Sequence, residues 1–173
     1  ARAYTDIGLI TADADIGEDV HQIFQQLSGH TPQIGLKRLL QSPFSLHQGL
    51  LERIEREAAH ARAGKPARMI AKMNAVNEPA VVRALYAASQ AGVEIDLIVR
   101  GACTLRPGLR GVSETIRVRS IIGRFLEHHR VYWFANDGEP DLFCSSADWL
   151  ERNLFRRVET CFPILNPRLA ERV

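Results

Sequence analysis

The 173-residue chain is 46% hydrophobic and 24% charged, an ordinary globular composition with enough apolar surface for a core. Its formal net charge of +2 argues against generic nucleic-acid coating and requires any polyanion site to arise from local clustering. The three cysteines, Cys103, Cys144 and Cys161, have neither metal-finger nor redox spacing and read as reduced thiols, and no apolar run approaches the roughly 20 residues of a membrane span.

The chain opens on Ala1-Arg2-Ala3 with no initiator methionine or targeting pattern, which is expected of a piece of a longer protein. Tyr4 to Ala12 reads as a strand. Asp15 begins a helix in which Val20, Ile23, Phe24 and Leu27 recur at helical spacing, and Gly29 supplies the exit. A loop with Pro32, Gly35 and Pro43 carries a short amphipathic piece from Lys37 to Leu40. Leu46 to Ala63 then forms a long helix with Leu46, Leu50, Ile54 and Ala58 turned inward. Its outer residues Glu52, Arg53, Glu55, Arg56 and Glu57 read as a solvated face, and Gly64 ends it.

Strand Ala67 to Met73, helix Pro79 to Ala91 and strand Ile95 to Val99 make a β-α-β unit with parallel strands and a right-handed crossover. Ligands in such sheets gather at the carboxyl ends of strands, here Lys72-Met73-Asn74 and Arg100-Gly101. Leu105 to Gly108 breaks the regularity. A strand from Ile116 to Ile122 follows, with Arg117 and Arg119 on one face. Val131 to Phe134 and Leu142 to Cys144 read as hairpin strands, because Asn136-Asp137-Gly138 has the chemistry of a tight reversal. That hairpin would bring His128-His129-Arg130 opposite the turn Ser145-Ser146-Ala147-Asp148. A helix from Glu151 to Arg157 and a last strand near Phe162-Pro163 complete one α/β domain over residues 1–173.

Arg117, Arg119, Arg124, Arg130, Arg152, Arg156 and Arg157 crowd this final third, and guanidinium forks suit tetrahedral oxyanions. His128 is the candidate acid or hydrogen-bond donor. Adjacent strand residues point to opposite faces, so His129 is expected outside the site. His21, His30, His47 and His60 read as surface residues. Ser145 and Ser146 read as turn-formers, for no acid-oriented base accompanies them, and Trp149 as an anchor for the following helix. Lys72 and Asn74 are phosphate candidates at a strand end.

Ordered blocks along essentially the whole chain carry a resemblance: ARAYTDIGLITAD, HARAGKPARMIAKMNA, EPAVVRALYAASQAGVEIDLIVRGAC, LRPG, SETIRVRSIIGRFLEHHRVYWFAN, SSADW and RNLFRRVE. The chain resembles the last domain of the long bacterial polyphosphate kinases, which build polyphosphate from ATP through a phosphohistidine enzyme. This resemblance implies an α/β, phospholipase D-like domain with a mixed β-sheet flanked by helices, the second of two that each give a histidine to a shared site. It implies that Tyr4, Arg100 and His128 contact the nucleotide and that Arg157 joins His128 in the catalytic set. Lys72, Asn74, Arg117, Arg119 and Arg130 would contact polyphosphate, although Arg117 and Arg119 equally suit surface pairs with Glu114 and Glu127. Arg130 stands where the phospholipase D pattern has lysine, and Asp148 where it has asparagine, so hydrolysis is not carried over.

The resemblance further implies ATP or ADP as substrate and magnesium held, like the phosphorylated histidine, by a preceding domain, with no metal ligand in this chain. The implied partners are polyphosphate, that preceding domain and, in the intact enzyme, further copies in a homo-oligomer, with no specific nucleic acid. The implied location is cytoplasmic, with membrane association of the intact enzyme left open. Two alternatives remain at this point: a nucleotide- or polyphosphate-binding module without activity, and a phospholipase D-type phosphodiesterase using His128 as nucleophile in a symmetric homodimer.

Overall fold

Alternating burial organises the centre of the molecule. In the computed structural model, which describes residues 3–29 and 35–173, strand β3 (Arg68–Met73) buries Met69, Ala71 and Met73, and strand β4 (Glu94–Val99) buries Ile95, Leu97 and Val99. These side chains share one core with Leu46, Leu50, Ile54 and Ala58 of helix α2 (Leu46–Arg62) and Val81, Leu85 and Ala88 of helix α3 (Pro79–Gln90). Each of the Leu, Ile, Val and Met side chains among them contributes about 1.5–3 kcal/mol when fully buried, so the sheet face and the two helices hold one another in place. Glu78 caps α3, accepting the Ala80 and Val81 N–H groups at 3.0 and 2.7 Å, and Pro79 starts the helix where a missing N–H costs nothing.

The remaining elements are β1 (Tyr4–Thr5), α1 (Ala14–Leu27), β2 (Leu40–Ser42), β5 (Ile116–Arg119), β6 (Leu126–Glu127), β7 (Arg130–Phe134), β8 (Asp141–Ser145), α4 (Glu151–Phe155), β9 (Glu159–Pro163) and α5 (Pro167–Ala170). Seven strands form one sheet in the order β2-β9-β8-β7-β3-β4-β5, while β1 pairs with β6 in a small separate ladder. The β3, β4 and β5 strands run parallel and the other neighbours antiparallel, so the sheet is mixed. The β7–β8 reversal uses left-handed backbone at Asn136 (φ 45°), Asp137 (φ 54°) and Gly138 (φ 95°), residue types that tolerate it.

Several expectations are corrected. The strand expected from Tyr4 to Ala12 is limited to Tyr4 and Thr5; the residues after it have no ladder partner, and Ile10 is fully exposed. The amphipathic piece from Lys37 to Leu40 has Lys37 and Arg38 exposed and Leu39 buried, and it leads into a strand, β2, that was not expected. Buried Asp19 accepts the N–H groups of Lys37, Arg38 and Leu39 at 2.9, 2.7 and 2.9 Å, which holds the segment at the entry to β2. Glu57 does not lie on a solvated face. It is fully buried and accepts the Asn136 N–H at 2.8 Å and the Arg68 N–H at 3.3 Å, serving backbone donors that the hairpin and β3 leave open. Arg53 and Arg56 also turn toward the hairpin, Arg53 over the Phe143 ring at 4.6 Å and Arg56 against Asp141 at 2.8 Å. The β5 strand stops at Arg119 and α4 at Phe155, which releases Arg156 and Arg157 from the helix. Pro32 and His30 lie outside the described residues.

Candidate functional site

A cleft of about 620 Å³ opens at the carboxyl ends of β3 and β4, walled by the β7–β8 pair, by β9 and by the first residues of the chain. The parallel ladder reaches past Met73 and Val99: the Arg100 N–H donates to Met73 O at 3.3 Å and the Gly101 N–H to Asn74 O at 2.8 Å. A Cβ at Gly101 would sit 2.9 Å from that carbonyl, so the close approach that holds Arg100 at the strand end requires glycine.

On the hairpin side, Arg130 and Ser145 are register partners. Buried Asp148 accepts the Asn74 N–H at 2.8 Å and takes Nε and Nη2 of Arg130, each at 3.2 Å. The two positions that depart from the phospholipase D pattern are thus matched to each other. Ser145 Oγ donates to Thr160 O at 2.9 Å and accepts the Ala147 N–H at 3.1 Å, while Ser146 Oγ donates to Glu159, so both serines are turn-formers as read from the sequence. Trp149 is fully buried against Tyr132 at 5.2 Å between centroids; its carbonyl accepts from Asn77 and Glu78, which ties down the segment entering α3.

The β1–β6 ladder delivers His128. Its N–H donates to Thr5 O at 3.1 Å, and its Nδ1 lies 2.8 Å from Asp6 Oδ2. The Tyr4 ring meets the imidazole edge-on at 5.1 Å, and Arg130 Nη1 stands 3.1 Å from both ring nitrogens. Partial burial pushes the Asp6 carboxyl up, but the His128 hydrogen bond, the Ile7 N–H and the charges of His128 and Arg130 outweigh it and hold the carboxyl below its ordinary value. A carboxylate on Nδ1 fixes the ring's orientation, with Nε2 turned toward Arg130 Nη1.

Tyr4, Asn74, Arg100, His128, Arg130 and Arg157 all line this cleft. Arg100, Arg152 and Arg157 form no ion pair among the described residues, and Arg100 Nη1 is buried without a hydrogen-bond partner. Three expected contacts stand elsewhere. Lys72 pairs with Glu127 at 3.1 Å and touches His129 Nδ1 at 3.1 Å beside the cleft. Arg117 grips Asp96 at 2.8 and 3.1 Å and Arg119 is 3.8 Å from the same carboxylate, so their partners are neither Glu114 nor Glu127. The Arg117 and Arg68 hydrogen bonds outweigh partial burial and bring Asp96 down to about 2.

His129 also lines the cleft, because it and His128 sit between β6 and β7 rather than within a strand, where alternation would have separated them. His47 is not a plain surface residue: its Nε2 lies 3.1 Å from Glu78. Asp6 and Glu159 belong to the cleft but escaped the sequence reading, although Asp6 stands inside the YTD block, and Arg152 lines it as one of the clustered arginines. Glu159 is held by Asn153 Nδ2 at 2.6 Å and by Ser146. No group of three or more His, Cys, Asp or Glu side chains among the described residues is arranged to hold a metal ion, and no described helix is long and apolar enough to cross a membrane.

A family profile described as "Polyphosphate kinase C-terminal domain 2" matches residues 39–173. Polyphosphate kinases of Xylella fastidiosa and Paraburkholderia phytofirmans are 73% and 61% identical over 173 residues, covering 100% of this chain and 25% of each relative. The chain therefore spans about a quarter of the length of the curated relatives it matches. The crystal structure of polyphosphate kinase from Porphyromonas gingivalis matches with a TM-score of 0.90 and 42% identity, over 93% of this chain and 25% of that one. Nuc from Salmonella typhimurium, a phospholipase D family member, matches with a TM-score of 0.53 and 17% identity over 78% of this chain and 86% of its own, a likeness of fold.

Proposed function

The chain belongs to the polyphosphate kinase family, and from that premise we propose that residues 1–173 act as one carboxyl-terminal domain of a longer polypeptide that reversibly transfers the terminal phosphate of ATP to polyphosphate. The observation that carries this reading is the grouping of Arg100, Arg152 and Arg157, without ion-pair partners among the described residues, around His128 in one cleft. A guanidinium already held by a carboxylate has little to offer an incoming anion, whereas these are available to a phosphate.

In this reading Tyr4 and Arg100 hold the nucleotide, and Arg100 and Arg157 meet the charge that spreads over the phosphoryl oxygens as the bond breaks. His128, oriented through Asp6, hydrogen-bonds the bridging oxygen as it takes up charge. The histidine that carries the phosphoryl group belongs to a preceding domain of the polypeptide, so these residues are half of the site. Magnesium would neutralise phosphate charge during transfer. The described residues of this chain offer it no ligand cluster, and no step here runs through it. Arg130, matched by Asp148, braces the site more than it binds phosphate. The phosphodiesterase alternative is disfavoured by that same pair, which ties up the two positions such chemistry would need free.

Phosphate transfer from ATP to polyphosphate tests the reading in this chain, in a polypeptide extended through the preceding domain, and in that polypeptide with His128→Ala. Turnover is expected only in the extended wild type. An inert extended protein would refute the kinase reading, and an active His128→Ala would refute the role given to His128.

A further inference from the structure

Helix α1 carries more apolar surface than its own core uses. Ile16 and Ile23 are buried and pack with Leu36, Leu39 and Phe162, while buried Asp19 ties the same helix to the backbone of Lys37, Arg38 and Leu39. The helix is therefore fixed in place. Val20, Phe24 and Leu27 recur at helical spacing on the adjoining stripe, yet they stand 39%, 65% and 57% exposed. That stripe lines a groove of about 490 Å³, to which Ile7, Leu9 and Val158 also contribute, Val158 being 48% exposed. No charged side chain among the described residues lines it. Ile7, Thr160 and Phe162 line both this groove and the arginine cleft, so the two are continuous.

An uncharged wall of large apolar side chains has the character of a permanent interface; transient partners meet a more polar surface, and lipid headgroups call for basic residues. The match to the family profile begins at residue 39, so α1 and the segment from Ile7 to Thr11 precede the matched domain, whereas Val158, Thr160 and Phe162 lie within it. The groove is thus a seam between the matched domain and what comes before it. This chain spans a quarter of the length of its relatives, so polypeptides of this family hold ample further chain to cover such a seam. We propose that the groove seats the preceding part of the same polypeptide, which sets an apolar surface against Val20, Phe24, Leu27 and Val158. The proposal rests on the half-site reading above and deepens it: because groove and cleft are continuous, the segment docked here holds the other half of the site against this one.

The test is thiol labelling in the intact polypeptide. Phe24→Cys and Leu27→Cys place probes in the groove, and Glu18→Cys places one at an exposed position of α1 outside it. Each reacts separately with a maleimide, and mass spectrometry of the peptide that carries it gives the rate. The two groove probes are expected to label at least about tenfold more slowly than Glu18→Cys, since the interface must open before the thiol reacts, and by the same ratio at every protein concentration. Two probes guard against one substitution loosening the contact it reports. Groove probes that label as fast as Glu18→Cys overturn the proposal. Protection lost on dilution also overturns it, by making the occupant a second copy of the chain. The labelling needs no activity: free labelling in a protein that transfers phosphate sinks this inference alone, whereas a protected groove in a protein that transfers none upholds the docking and refutes the kinase reading.

Discussion

Arginines on the β3–β5 edge of the sheet and arginines in the cleft have the same chemistry and opposite circumstances. Arg68, Arg117 and Arg119 converge on the single carboxylate of Asp96, and Arg117 reaches Glu94 as well. Arg100, Arg152 and Arg157 have no such partner among the described residues. The number of guanidinium groups in a stretch of sequence therefore says little about where an anion binds. What marks the site is that three arginines without acid partners among the described residues converge on one cleft, at the cost of mutual repulsion that a polyanion relieves.

The largest effect is expected from the one cleft arginine that breaks this contrast. Arg130 and Asp148 are almost wholly buried, with side chains 10% and 9% exposed. Asp148→Ala leaves a guanidinium buried without its counter-charge and also removes the acceptor of the Asn74 N–H. A loss of about 3–5 kcal/mol is expected, measured by urea denaturation of this chain. A change below about 1 kcal/mol would mean that Arg130 escapes to solvent and that the pair is not structural.

How far the fold could be read from the sequence follows the reach of each interaction. The β3-α3-β4 unit and the β7–β8 hairpin were legible because periodicity and turn chemistry are local. The β2 strand was not, since it depends on Asp19, some twenty residues earlier, taking up three backbone N–H groups. Glu57 misled for a related reason: on its helix it looks like one more surface acid, and its backbone donors come from the start of β3 and from the hairpin beyond residue 130. In the site, Arg100 was marked by its strand end and His128 by the motif around it. Asp6 and Glu159 were invisible, because nothing in the sequence tells which distant segment will flank β6 or β8. Arg117 and Arg119 were correctly placed on one strand, yet their neighbour across the ladder was the β4 carboxylate and not a ligand.

Charge removal at the two groups of arginines sharpens the comparison directly. In the intact polypeptide, Arg100→Gln is expected to lower phosphate transfer by about 10²-fold, the scale of losing one preorganised donor to a developing oxyanion. Arg117→Gln should stay within about twofold of wild type, for its guanidinium already serves Asp96 outside the cleft. Steady-state kinetics of the two variants side by side decides the matter, and an Arg117 effect as large as that of Arg100 would put polyphosphate on the β5 edge after all.

The smallest effect concerns the paired group, and its sign follows from Asp96. Its carboxyl sits at about 2 in the folded protein against an ordinary 3.8, held down chiefly by Arg117 and Arg68. A group with a depressed folded value stabilises the protein fully above its unfolded value and loses that contribution as pH falls through the folded one. The window for Asp96 therefore runs from 3.8 down to about 2. Urea midpoints followed across that window should fall more steeply in wild type than in Asp96→Asn, which has no proton to take up at this position. Because the arginines around it are partly solvated, the difference should be modest and should shrink in high salt. Identical slopes would mean that the β5-edge arginines gain nothing from Asp96, and the contrast with the cleft would then be one of location rather than of pairing.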